Sequence, residues 1–189
     1  MTRKGTDAWL QATSLQLAAC LTPDTDSHYR IRVAHANELD NGERNDLCVI
    51  FEANMRNLYT NSSFGWNPAE KHRELFNAKS RFLMTFSAEN NLVAFCMFRF
   101  ETEETDDVLY CYELQVSNAT QRVGVGNTLV QRLWEIGLSY EMDKIMLTVL
   151  KGNTAALGFY KKQGFAIDES SPSMFLVEVD YEIMSKRIE

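Results

Sequence analysis

The run Gln121-Arg122-Val123-Gly124-Val125-Gly126 sets two glycines where a strand-like segment meets a helix-like one. Upstream, Val108 to Val116 is rich in β-branched and aromatic residues, the composition of a strand. Downstream, Leu129, Leu133, Ile136 and Tyr140 recur on one helical face. A helix N-terminus carries unpaired amide hydrogens and a partial positive charge, and glycine lets a ligand approach the backbone closely. The hexapeptide, with Asn127 beside it, therefore reads as a cradle for pyrophosphate oxygens, although such a turn also starts ordinary helices. Two other phosphate-binding patterns fail on spacing. The third glycine of a dinucleotide fingerprint would fall at Leu129, and no Gly-Lys-Ser/Thr follows.

The strand before the cradle carries Tyr110, Tyr112 and Glu113. A glutamate in an apolar strand is a candidate general base, because burial raises its pKa toward the working range. In a regular strand the two tyrosines face one side and Glu113 the other. A β-bulge would bring all three together.

The elements that must position these groups can be read along the chain. The stripe Trp9, Leu10, Leu17, Cys20 and Leu21 predicts a helix over about residues 6–21. Residues 22–42 are loop-like, with a short extended piece at Tyr29 to Ala34. A helix over about 43–60 buries Leu47, Ile50, Phe51, Met55 and Leu58, and Asn67-Pro68 caps and opens a third helix. Arg81 to Ser87 and Leu92 to Phe100 flank Ala88-Glu89-Asn90-Asn91 as a hairpin. An acidic connection (Glu101, Glu103, Glu104, Asp106, Asp107) leads to the strand at 108–116. Beyond the cradle helix come a strand at Lys144 to Leu150, a helix from Thr154 to Gln163 closed by Gly164, and an alternating segment at Phe175 to Ile183. The class is α+β, a mixed, mostly antiparallel twisted sheet flanked by helices. An N-terminal helical arm over 1–42 is expected to pack on a domain over 43–189.

With 189 residues, 45% of them hydrophobic, the chain suits one core. No run of 18 or more apolar residues suggests a membrane span, and the first residues lack a signal-peptide pattern. The net charge of −7 argues against direct nucleic-acid binding and suits a basic partner. Cys20, Cys48, Cys96 and Cys111 form no Cys-x-x-Cys pair and read as reduced, buried thiols. His28, His35 and His72 stand alone and read as surface residues, so no metal site is expected.

Gln/Arg-x-x-Gly-x-Gly resembles the acetyl-CoA signature of the GNAT acetyltransferase superfamily, and the element order over roughly 43–185 is similar to its fold. The stretch from Asn153 through Tyr160 to Gly164-Phe165 is similar to that superfamily's Asn-x-x-Ala-x-x-x-Tyr-x-x-x-Gly-Phe pattern. The resemblance implies acetyl-CoA as donor and CoA as product. Asn153 would contact it, and Tyr160 on the same helix face would sit near the thiol sulfur as a proton donor. Leu114 and Val116 would hold the pantetheine arm on a splayed strand.

A closer resemblance, to the NatD-type N-terminal acetyltransferases of histones, rests on Val108 to Glu113, Met146 to Val149, Asp168-Glu169-Ser170-Ser171-Pro172-Ser173-Met174 and Tyr181-Glu182-Ile183. It implies transfer to the free serine amine of tails beginning Ser-Gly-Arg-Gly. Tyr59 and Phe64 (where that family often has Trp) would wall the entrance. Glu101 (often Asp) and Glu103 would meet the substrate arginine and backbone. Tyr110, Tyr112 and Glu113 would line the slot, and Tyr181 would close it. A monomer working in cytoplasm and nucleus is the accompanying expectation. An α-amine, pKa about 7.7–8.0, is roughly a tenth to a quarter neutral at neutral pH, whereas lysine at about 10.4 is well under 1% neutral, so a modest base suffices. An internal lysine or a small amine as acceptor, and a non-catalytic binding module, remain open at this level.

Overall fold

The computed structural model describes residues 8–23 and 28–189. Seven strands form one sheet in the order β1-β2-β3-β4-β5-β7-β6. They are β1 (Arg30–His35), β2 (Arg81–Phe86), β3 (Leu92–Glu103), β4 (Asp106–Val116), β5 (Lys144–Leu150), β6 (Ala166–Ile167) and β7 (Tyr181–Arg187). Only the β4–β5 pair is parallel; the helix joining those two strands makes the crossover that a parallel pair needs. The helices are α1 (Ser14–Ala19), α2 (Asn41–Thr60), α3 (Pro68–Leu75), α4 (Val125–Ser139) and α5 (Thr154–Lys162). No helix among the described residues is long and apolar enough to cross a membrane.

The sheet separates two apolar clusters. On one face Leu109 and Cys111 of β4 pack against Leu129, Leu133 and Ile136 of α4. On the opposite face Phe82, Phe95 and Met97 pack against Leu47, Ile50 and Phe51 of α2 and Leu75 of α3. Local rules set the helix starts. Asp40 accepts from the Glu43 amide at 2.8 Å while Glu43 reaches back to the Asp40 amide, a capping box whose loss costs about 1 kcal/mol. Asn67 caps α3 through the Glu70 amide, with Pro68 at the first position.

Four expectations need correction. The N-terminal helix is broken: a 3-10 turn at Ala8–Gln11 precedes α1, because Thr13 caps a new helix with Gln16. Residues 6 and 7 lie outside the described residues, and Leu10 faces solvent while Leu17 is buried. The extended piece at 30–35 is the edge strand of the sheet, paired along β2, so the sheet begins inside the segment read as a helical arm. Arg81 donates to the Trp9 and Leu10 carbonyls, and Trp9 packs on Phe100 at 5.5 Å, tying the first turn to the sheet. The acidic connection is no loop: β3 and β4 continue to the Glu103–Asp106 pair, leaving Glu104-Thr105 as the turn. The last strand starts at Tyr181 rather than Phe175, after a 3-10 turn at Pro172–Phe175.

Cys96 and Cys111 are buried with sulfurs 3.6 Å apart, whereas Cys20 and Cys48 are only half-buried. His35 is also half-buried, its Nε2 2.9 Å from the Ala12 carbonyl oxygen.

Candidate active site

The register between β3 and β4 slips by one residue. Met97 pairs with Glu113 and Phe98 with Cys111, so Tyr112 is the extra residue of a β-bulge. Before the bulge, side chains alternate normally. After it, Tyr112 and Glu113 both reach the α2/α3 face. Tyr112 packs at a tilt against Tyr110 with centroids 4.9 Å apart, and Glu113 meets Lys71 of α3. The bulge thus removes the conflict of strand alternation: Tyr110, Tyr112 and Glu113 line one cavity.

The same position opens the sheet. β4 pairs with β5 only from Val108 to Cys111, and past that point the two strands diverge. Two cavities fill the divergence. One, of about 540 Å³, is lined by Tyr59, Phe64, Glu70, Lys71, Glu74, Glu103, Tyr110, Tyr112 and Glu113. The other, of about 490 Å³, is lined by Leu114, Val116, Gln121, Arg122, Gly124, Gly126, Asn127 and residues of α2 and α5. Met55, Leu114, Gln115, Asn153, Ala156 and Tyr160 belong to both walls. The cavities therefore meet at the bulge.

Glu113 is 5% exposed. Its Oε1 accepts from Lys71 Nζ at 3.0 Å and its Oε2 from Gln115 Nε2 at 2.7 Å. Gln115 in turn accepts from Asn54 Nδ2 at 3.0 Å, and the same amide donates to the Val116 carbonyl. Burial raises the Glu113 carboxyl above the usual range; the Lys71 ammonium and the Gln115 amide offset only part of that. Tyr110 donates to or accepts from Thr148 Oγ1 at 2.6 Å, and burial pushes its hydroxyl up to about 12. Arg99 lies 4.2 Å over the Tyr112 ring. The Tyr160 hydroxyl is also raised by burial, so it holds its proton at neutral pH, and it makes no hydrogen bond among the described residues. The site thus has a carboxylate able to take a proton and a phenol able to give one.

The cofactor-side expectations divide. Gly124 (φ 99) and Arg122 (φ 65) occupy left-handed backbone, turning the chain so that α4 begins at Val125, with Gly124 and Gly126 lining the second cavity. Val123 is exposed and Val125 lies in the core, and neither lines that cavity. Asn153 is the N-cap of α5, its Oδ1 accepting from the Ala156 amide at 3.1 Å, and it lines the same two cavities as Tyr160. Asn127 accepts from Gln163 at 2.9 Å and lines the cavity.

On the acceptor side, Tyr59, Phe64 and Glu103 line the first cavity, but Glu101 and Tyr181 do not. Tyr181 acts through Phe64, whose ring it meets at 5.4 Å. The loop carrying Phe64 is latched there: Ser63 donates its amide and its hydroxyl to Asp180, both at 2.6 Å. The Ser-Ser-Pro-Ser run holds the other side of Tyr181, since Ser171 donates to Glu182 and accepts from the Ile183 amide.

Lys71 went unread in the sequence, where Glu70-Lys71-His72-Arg73-Glu74 looks like a solvated helix face. The available signal was position: Lys71 lies four residues before buried Leu75, on the inward side of α3.

The sequence profile of the Acetyltransferase (GNAT) family matches residues 50–165. The chain belongs to the GNAT acetyltransferase family. Solved structures share the fold at low identity. The ribosomal-protein alanine N-acetyltransferase of Escherichia coli is similar at 16% identity over 85% of this chain and 95% of its own, TM-score 0.58. An Arabidopsis thaliana protein solved with the bisubstrate analogue CoA-Ac-MVNAL gives 18%, 82%, 97% and 0.56. The spermidine N-acetyltransferase of Vibrio cholerae gives 16%, 86%, 95% and 0.59.

As a GNAT enzyme the chain uses acetyl-CoA, whose thioester supplies the acetyl group. The residues fit that donor. Open amides at the α4 N-terminus suit its pyrophosphate, and β4 residues beyond Cys111 have no β5 partner to compete with an extended arm. At Gly126 a β-carbon would sit in ordinary contact with the Phe159 ring, at 3.4 Å, so it is the branches of a larger side chain that would crowd that wall. Gly126→Val is expected to weaken CoA binding by tenfold or more, ~1.4 kcal/mol. An unchanged Kd in a calorimetric titration would take Gly126 out of the cradle.

Proposed function

We propose that this GNAT enzyme acetylates the free α-amine of an N-terminal serine on basic tails of the Ser-Gly-Arg-Gly type, those of core histones four and two-A. The observation that carries the reading is the bulged strand. It gathers Tyr110, Tyr112 and Glu113 in one cavity, walled by the Tyr59 and Phe64 rings and edged by the Glu103 carboxylate. Ring walls suit an extended chain with small first residues. Glu113 takes the amine proton, directly or through a water, and Tyr160 offers its phenolic proton where the two cavities meet. Histone tails as acceptors imply work in the cytoplasm and nucleus.

One observation favours a second acceptor class. Glu70, Glu74, Glu103 and Glu113 all line the cavity, a field that also suits a small polyamine. Intact-mass spectrometry with acetyl-CoA separates the readings. A gain of one acetyl group on Ser-Gly-Arg-Gly-Lys peptide, and none on the same peptide blocked at its N-terminus, is expected. Acetylation of the blocked peptide would mean lysine chemistry, and turnover of spermidine alone would mean a small-amine enzyme.

The carboxylates at the mouth are expected to act unequally. Glu103 lines the cavity, whereas Glu101 is one strand position pair away and outside it. Glu103→Gln should raise the peptide KM about two- to fivefold, the scale of a partly exposed ion pair, and Glu101→Gln less. Steady-state kinetics at saturating acetyl-CoA checks this, and equal effects would count against the assignment.

A further inference from the structure

We propose that Lys71 is a positioning residue for the reaction: its ammonium, wedged between Glu113 and Glu74, holds the Glu113 carboxylate ionised and aimed into the acceptor cavity. This rests on the reading of Glu113 as the base. Lys71 Nζ lies 3.0 Å from Glu113 Oε1 and 2.8 Å from Glu74 Oε1, with its side chain only 11% exposed and that of Glu113 4%. The same ammonium sits 5.2 Å from the Phe51 ring centroid and 5.1 Å from that of Tyr59, which fixes it from the α2 side. With Gln115 holding the second oxygen, the carboxylate is gripped at both ends.

A structural role alone accounts poorly for this pair. Desolvating two charges costs several kcal/mol per ion, and buried pairs are often no more stabilising than the apolar residues that could replace them. An ionised carboxylate in that place serves proton transfer directly, because a base that burial had already protonated could accept nothing. Lys71 answers that burial, while its second bond to Glu74 prevents full neutralisation of Glu113 by a single partner. The groups facing the pair are Glu70 and Glu74 from α3, Tyr59 from α2, Cys96, Glu103 and (over the Tyr112 ring) Arg99 from β3, Tyr110, Cys111 and Tyr112 from β4, and Tyr160 from α5. Of these, only Arg99 is a second cation, and it lies 4.2 Å over the Tyr112 ring.

The sign follows. Removing the cation raises the pKa of Glu113 further, so the base becomes available only at higher pH. The test is a titration of Glu113 by carbon-13 NMR of the side-chain carboxyls, with the resonance assigned by its loss in Glu113→Gln. It needs no acceptor, so it decides the role of Lys71 even if the histone-type peptide is not acetylated. In Lys71→Met and Lys71→Gln the Glu113 midpoint is expected to rise by about one to three pH units, the effect of losing an adjacent opposite charge, and to stay in place in Lys71→Arg. Lys71→Gln keeps hydrogen-bond donors and carries the test if the methionine variant does not fold. The acid limb of kcat/KM, measured with whichever acceptor is turned over, should move with the midpoint. An unmoved midpoint in a folded neutral variant overturns the proposal. A moved midpoint with an unmoved limb overturns the reading of Glu113 as base and this proposal with it.

Discussion

Glu113→Gln should lower kcat/KM for the amine acceptor by about 10²–10⁴-fold, the range of a lost general base, while CoA affinity stays near that of the natural chain. The separation is expected because Glu113 lines only the acceptor cavity, whereas the cradle amides lie along the other. The amide keeps the shape and can still accept from Lys71, but not a proton from the acceptor amine. Glu74 remains beside Lys71, so the buried ammonium is not stranded and the fold should stand. The pH profile adds a second reading. A carboxyl raised by burial loses its proton later than an ordinary glutamate, so kcat/KM should climb as pH rises through that raised value. In Glu113→Gln that climb should vanish, leaving only the rise set by the acceptor amine's own titration. A variant within twofold of the parent, with its acid limb intact, would dismiss Glu113 as the base.

Tyr160→Phe carries the next largest expectation, a loss of about 10²-fold in kcat with little change in either KM, the scale of one well-placed donor removed. The ring packs against Phe159 at 5.2 Å and Phe165 at 5.6 Å, contacts that phenylalanine keeps. Only the hydroxyl goes, from the wall common to both cavities. Equal rates across the pH range in the two proteins would reduce Tyr160 to a packing residue.

The chain reads well where its pattern is long and its chemistry local. The α2 and α4 helices, the β5 strand and the α3 cap follow from apolar periodicity, Asn67-Pro68 and the turn glycines, all of which act within a few residues. The acidic run misled because charge marks exposure, not loops: Glu101 and Glu103 stay in the β3 ladder while pointing to solvent or to the cavity mouth. The break at Thr13 went unread because a Thr-Gln capping box can interrupt an apolar stripe without disturbing its spacing. At the site, Tyr110, Tyr112 and Glu113 were legible as a group, and strand alternation itself demanded the bulge that the structure contains. Lys71 was not legible, because its importance comes from a partner 42 positions away on the strand beneath α3, a contact that no local pattern encodes.

The wall common to the two cavities has one more consequence. A single molecule joining CoA to an acceptor through the amine nitrogen would lie along both at once, past the residues they share. Its second half would bind at the high effective concentration that a short tether imposes, so affinity would exceed that of either half alone without any new contact. Selectivity would then come from the acceptor half, because a cradle of glycines and backbone amides is one that any GNAT enzyme can offer, whereas the Phe64 rim and Glu103 belong to this chain.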